Sequence, residues 1–253
     1  MARSWILLRG LVREQGHWGA FLEALRLAHP RDHIICLDLP GAGTHYQGKA
    51  PLTVKAMRRA LEQELAGLQL PAGPRLLLAV SLGAMVALDW IEHDARAFDH
   101  VVLINSSVKG LSRPWERLRP SALLGLLPVF TLKGPARERQ ILSVVSNVPA
   151  NYEALSREWD AIARARPIST ENTLRQLTAA LRFRLPQRPV THPQLLVLAS
   201  AQDRMVRVEC SRALARYLGA PLAEHPTAGH DLTTDAPDWV LQQVSAFLSR
   251  AGS

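Results

Sequence analysis

The stretch Leu76-Leu77-Leu78-Ala79-Val80-Ser81-Leu82-Gly83-Ala84-Met85-Val86-Ala87 decides the fold. An apolar run reaches a serine set between small residues, and a helical pattern starts directly after it. A serine presented on so sharp a strand-to-helix turn needs small neighbours two residues to either side, because a larger substituent would strike the adjoining backbone. Ala79 and Gly83 meet that demand, although the first position is more often glycine and Ala79 adds one methyl. The stretch therefore predicts a strand, a nucleophile elbow at Ser81 and a helix.

Working outward, three more apolar runs of strand type lie at residues 5–8, 33–39 and 100–105, and the run leading into Ser81 starts at residue 75. Helical periodicity fills the gaps over 18–27 and 53–68, and continues after the elbow over 84–93. Strands alternating with helices predict an α/β protein, with a mostly parallel sheet covered on both faces. From Lys109 the rhythm changes to successive helices at 121–130, 136–146, 152–165 and 170–183, the last with Ser169 as N-cap. Strand patterning returns at 194–199. A helix at 211–218, a short strand at 222–225 and a closing helix at 237–249 complete the chain. The reading is a core of residues 1–108 and 190–253 with a helical cap inserted over 109–189.

A serine hydroxyl is a weak nucleophile, so the elbow is useful only with an imidazole to take its proton and a carboxylate to orient that imidazole. Asp203 stands in the loop after the strand at 194–199, and His230 follows the last strand in Thr227-Ala228-Gly229-His230-Asp231. Asp231, Asp235 and Asp238 lie too close to His230 in sequence to serve as the acid. The alternative site after the fourth strand reads Asn105-Ser106-Ser107, with no carboxylate. Ser81, Asp203 and His230 are thus the catalytic candidates, and the backbone N–H groups of Leu11 and Leu82 are the candidate oxyanion donors. Asp38 is expected to order the turn Leu37-Asp38-Leu39-Pro40-Gly41-Ala42-Gly43, whose glycines lack the third member of a dinucleotide fingerprint.

These motifs resemble the α/β-hydrolase superfamily over nearly the whole chain, within it the small bacterial carboxylesterases of the pimeloyl-acyl-carrier-protein methyl ester esterase type. Ile6-Leu7-Leu8-Arg9-Gly10 is similar to the first strand and His-Gly loop of that group, and the Asp38 turn to its Asp-x-Pro-Gly-x-Gly turn. The resemblance implies an α/β-hydrolase fold and a cofactor-free serine esterase acting on a small-molecule ester. It also suggests an alternative, an esterase or thioesterase acting on acyl chains delivered by an acidic acyl carrier protein. A non-catalytic binding protein on the same fold is the reading from a different class. Arg9 departs from the group, standing where it has histidine; it either anchors the oxyanion loop through a carboxylate such as Glu14 or binds an acidic group of the substrate. Trp18 is expected to pack the first helix against the cap entrance, with pocket contact as the alternative.

Charge is uneven. The chain carries 30 Lys and Arg against 22 Asp and Glu, a net +8, and residues 109–188 hold 14 against 6, which is the entire excess. No nucleic-acid signature accompanies it, so the cap reads as a solvated Arg-rich surface or as a docking face. Arg137, Arg139, Arg157, Arg164, Arg175 and Arg182 are candidates for that face, and Leu123, Leu124, Leu126, Leu127, Val129 and Phe130 for an acyl pocket. Two cysteines, Cys36 and Cys210, are too few for a disulfide framework and lack metal-site spacing. No apolar run reaches the roughly 20 residues needed to span a bilayer. The expectation is a cytoplasmic protein without metal or membrane span.

Overall fold

The structure, a computed structural model, describes residues 2–185, 192 and 194–251. Six parallel strands form one sheet: β1 (Ser4–Leu8), β2 (His33–Leu37), β3 (Arg75–Val80), β4 (His100–Ile104), β5 (Leu195–Ser200) and β6 (Leu222–His225). Their order is β2-β1-β3-β4-β5-β6, which puts the elbow strand β3 near the middle and the loops after β5 and β6 on the same carboxyl edge. Strands buried on both faces must be apolar at every position, which is why β1, β3 and β4 read as unbroken runs rather than as alternations.

The strand period of two splits these side chains into two cores. Ile6, Leu8, Leu77, Ala79, Val101 and Leu103 face α2 (Val54–Ala66) and α3 (Leu82–His93). Trp5, Leu7, Leu76, Leu78, Val102 and Ile104 face α1 (Gly19–Ala28) and α11 (Pro237–Ala251). Helix α3 is apolar nearly all round, as expected of a helix wedged deep in the molecule.

Between β4 and β5 the chain leaves the sheet and forms α4 (Pro114–Arg117), α5 (Pro120–Leu126), α6 (Gly134–Val145), α7 (Tyr152–Ala165) and α8 (Thr170–Arg182). The Ser169 hydroxyl accepts the Asn172 N–H at 3.1 Å and caps α8. The helices build a small core of their own around Ala122, Leu142, Val144, Val145 and Trp159. The boundary read at residues 189 and 190 lies outside the described residues.

Some elements differ from the sequence reading. The helix read at 121–130 is α5 followed by a 3-10 turn, Leu127–Phe130, because Pro128 cannot donate to the preceding turn. The strand read at 33–39 ends at Leu37, where the Asp38 turn begins. Helix α9 (Val208–Leu218) starts three residues before the expected 211. A one-turn helix, α10 (Leu232–Asp235), follows His230 where none was read.

Candidate functional site

Ser81 sits between β3 and α3 with φ 55° and ψ −114°, a conformation that side-chain-bearing residues rarely adopt. Its N–H donates to the Ile104 carbonyl at 2.9 Å, and the Ser106 hydroxyl donates to its carbonyl at 2.9 Å, so the strained turn is held from β4. The glycine two residues on is obligatory. A Cβ at Gly83 would stand 2.5 Å from the Arg9 carbonyl oxygen and 2.7 Å from that of Leu8. The space at Gly10 is tight from the other side, since a Cβ there would lie 3.0 Å from that of Ser81.

His230 reaches back over the elbow. The Ser81 hydroxyl donates to its Nε2 at 3.0 Å, and its Nδ1–H donates to Asp203 Oδ2 at 2.7 Å. The other carboxylate oxygen of Asp203 accepts the Met205 and Val206 N–H groups at 2.7 and 2.9 Å, so this acid is fixed before it meets the imidazole. Burial by itself lowers the His230 pKa, but the Asp203 carboxylate outweighs it, and the net direction is up from 6.5. All three residues are buried or half-buried beside a cavity of about 540 Å³.

Two backbone amides belong to residues beside the elbow. Leu82 opens α3, and no carbonyl precedes it within the helix to take its N–H; Leu11 follows the loop that leaves β1 and lines the cavity. Among the described residues neither amide has an acceptor, and both stand beside the elbow. Arg9 is buried in the wall of the same cavity, but its carboxylate partner is Asp231 rather than Glu14. Its Nη2 and Nη1 donate to the two Asp231 oxygens at 2.5 and 3.1 Å, and Nη1 also donates to the Thr233 hydroxyl at 2.8 Å. Glu14 is taken instead by Arg166, at 2.6 Å. Trp18 is buried under Arg9, 4.9 Å from guanidinium to ring, and packs on Phe21 rather than lining the cavity. Asp38 does order its turn: it accepts the Gln15 and Thr44 N–H groups at 2.7 and 2.8 Å, and a Cβ at Gly43 would collide with its carboxylate.

The insertion covers the cavity with Leu126, Val129, Phe130, Leu132, Ile141 and Val145. Leu123 and Leu127 do not line it. They point outward, 51% and 54% exposed, while Leu126 between them in sequence lines the cavity. Arg137 lines the cavity and donates to Glu138 at 2.8 Å. Arg139 and Arg157 lie outside it, exposed, and both pair with Glu153.

Asn105 escaped the sequence reading as a contributor to the site. At φ 46° it ends β4, and its side-chain amide donates to the Ser200 hydroxyl at 2.9 Å and the His230 carbonyl at 2.8 Å while accepting the Ser200 N–H at 2.8 Å. It thus fastens the histidine loop to β5. Asp235 does the same from the other side, accepting the Gly229 N–H at 2.7 Å and the Asn147 N–H of the insertion at 2.8 Å. An asparagine directly after a strand is the signal for the first, since that residue tolerates the left-handed region. Among the described residues no group of three or more His, Cys, Asp or Glu is arranged to hold a metal ion, and no helix is long and apolar enough to cross a membrane.

Solved structures share this architecture across almost the entire chain. The 2-hydroxy-6-oxo-6-phenylhexa-2,4-dienoate hydrolase of Rhodococcus sp. strain RHA1 superposes with a TM-score of 0.76 at 17% identity, covering 98% of this chain and 91% of that one. A hydrolase from Pseudomonas aeruginosa PA01 gives 0.75 at 20% identity, with 98% and 90% covered. A lipase-esterase related protein from Clostridium acetobutylicum ATCC 824 gives 0.74 at 15% identity, with 97% and 94% covered. These likenesses concern the fold, and among curated proteins no sequence match is found. The sequence model of the alpha/beta hydrolase family matches residues 5–243, and the chain belongs to that family.

Proposed function

We propose that the protein is a serine hydrolase that cleaves carboxylic esters through an acyl-enzyme. The observation that supports this most directly is the hydrogen-bonded relay from Ser81 through His230 to Asp203, at 3.0 and 2.7 Å, beside a cavity walled by aliphatic side chains of the insertion. In this reading His230 takes the hydroxyl proton as Ser81 attacks the ester carbonyl, and Asp203 stabilises the imidazolium that results. The Leu11 and Leu82 amides then hold the oxyanion; losing one such donor costs about 3–4 kcal/mol of transition-state stabilisation in serine hydrolases. His230 returns the proton to the departing alcohol, and a water activated by the same imidazole releases the acid. Helices α4–α8 act as a cap, and Leu126, Val129 and Phe130 receive the acyl chain.

An acyl chain delivered by an acidic carrier protein is the second reading, supported by the positive charge of the insertion. It is the weaker of the two, because Arg139 and Arg157 are engaged with Glu153, Arg164 with Asp160 and Arg175 with Glu171. A cytoplasmic setting goes with either, in keeping with two free thiols whose pKa burial pushes up to about 11. Steady-state hydrolysis of 4-nitrophenyl esters of rising chain length tests the proposal. The expected result is turnover with kcat/KM peaking at medium chains; turnover restricted to acetyl esters contradicts the acyl cavity, and no turnover on any ester favours a binding protein.

A further inference from the structure

The charges facing the cavity do not cancel. Of its three carboxylates, Asp231 is matched by Arg9 and Asp160 by Arg164, at 2.5 and 2.6 Å. The third, Glu138, is 2% exposed and stands between two guanidiniums: Arg137 donates to Oε1 at 2.8 Å, and Arg13 pairs with Oε2 at 3.6 Å. Two cations thus share one buried anion. Lys133 on the same wall adds positive charge rather than offsetting it.

Arg13 shares its carboxylate with Arg137, and its other contacts are uncharged. Its guanidinium lies over the Trp159 ring at 4.1 Å, and its Nη1 is 3.2 Å from His17 Nε2, while the side chain keeps 12% of its surface open. His17 brings no compensating charge, since burial and then the nearby Arg13 and Arg9 hold its pKa well below 6.5. Behind Arg13 lies a second chamber of about 110 Å³, bounded by Arg13, Arg137, Glu138, His17 and the paired Glu14 and Arg166. Its volume suits a few waters or one small anionic group. A buried cation in excess is unfavourable until an anion meets it, and a planar guanidinium can meet a carboxylate in two parallel hydrogen bonds.

We propose that Arg13 and Arg137 form an anion subsite in the acyl end of this cavity, so that the preferred esters carry a carboxylate or comparable anion beyond an apolar spacer. The inference rests on the hydrolytic reading of Ser81 and specifies the substrate class of that site. The spacer lies along Val129, Phe130 and Ile141, and the anion meets Arg13. The competing account makes Arg13 only a brace between the core and helices α6 and α7. A brace does not discriminate between a neutral and an anionic ester of the same length.

The test compares 4-nitrophenyl hexanoate with the mono-4-nitrophenyl ester of adipic acid, and then longer and shorter pairs, on the purified full chain and on Arg13→Gln, Arg13→Lys and Arg137→Gln. The expected result is a kcat/KM ratio favouring the anionic ester by about ten- to a hundredfold at one chain length, carried mainly by KM. Arg13→Gln brings the ratio toward one, Arg137→Gln lowers it, and Arg13→Lys retains part of it. Because the ratio is internal to each variant, a general loss of folded protein does not mimic the effect. Equal rates at every length in the unaltered protein, or an unchanged ratio in Arg13→Gln, overturn the subsite. If no ester is turned over, the hydrolytic reading falls, and binding of free adipate decides the subsite separately. A calorimetric heat that disappears in Arg13→Gln upholds it, and no heat with the unaltered protein removes it.

Discussion

In the proposed hydrolysis Ser81 and His230 carry the chemistry, and their immediate neighbours set its geometry. The positive φ of Ser81 is tolerated because Gly83 and Gly10 leave room on both sides of it, and the resulting turn sets the hydroxyl against the His230 ring. The sign of the His230 shift sets the pH dependence. Burial lowers its pKa, the Asp203 carboxylate raises it by more, and Asp231 adds to the rise. A base must be neutral to accept the serine proton, so kcat/KM is expected to fall on the acid side with a midpoint above 6.5. Asp203→Asn should move that midpoint down and reduce kcat by about 10⁴-fold. A pH–rate profile with an acid limb well below 6.5 contradicts the assignment. The same shift enters stability with the opposite preference: the stabilisation from protonated His230 is full below its unfolded pKa and is lost as pH rises through the folded value. That Ser81, Asp203 and His230 come together was legible in the sequence because each stands in the loop or turn after a strand, in a fixed order. Asn105 and Asp231 were not, because their roles depend on which loop lies across from them, and the Arg9–Asp231 contact joins residues 222 positions apart.

At the scale of elements, β1, β3 and β4 were readable because burial on both faces demands continuous apolar sequence. Boundaries were harder where a turn begins inside an apolar run, as at Leu37, or where one proline changes the helix type, as at Pro128. The loop after β1 and the loop after β6 are locked to each other by Arg9 and Asp231, a tie that positions the proposed oxyanion loop against the histidine loop. Burial alone would raise the Asp231 pKa, but Arg9 brings it down to about 2. Its contribution is therefore present above its ordinary range near 3.8 and lost as pH falls through about 2. Asp231→Asn leaves Arg9 as a buried, uncompensated cation and should lower unfolding stability by about 3–5 kcal/mol in urea titrations. Arg9→Met combined with Asp231→Asn should be less destabilised than the two single changes added together. Additive losses contradict a direct tie.

The whole molecule is a division of labour between a rigid two-faced sheet and an inserted helical layer. The sheet brings three distant loops to one edge, and the insertion, with its own small core, contributes most of the apolar wall and sets Lys133, Arg137 and Arg164 against Glu138 and Asp160 inside the cavity. Sequence revealed that the positive charge is concentrated there; it did not reveal that several of those arginines pair with acids of the same helices while Arg13, from the core, completes the excess inside the cavity. The account depends on Ser81 being an activated nucleophile in this assembled setting. Reaction of the purified protein with a fluorophosphonate, followed by peptide mass spectrometry, tests that most directly. The predicted result is one covalent adduct, on Ser81, absent in Ser81→Ala and strongly slowed in His230→Ala. An unlabelled Ser81 in the folded protein, or labelling that is as fast without His230, contradicts it.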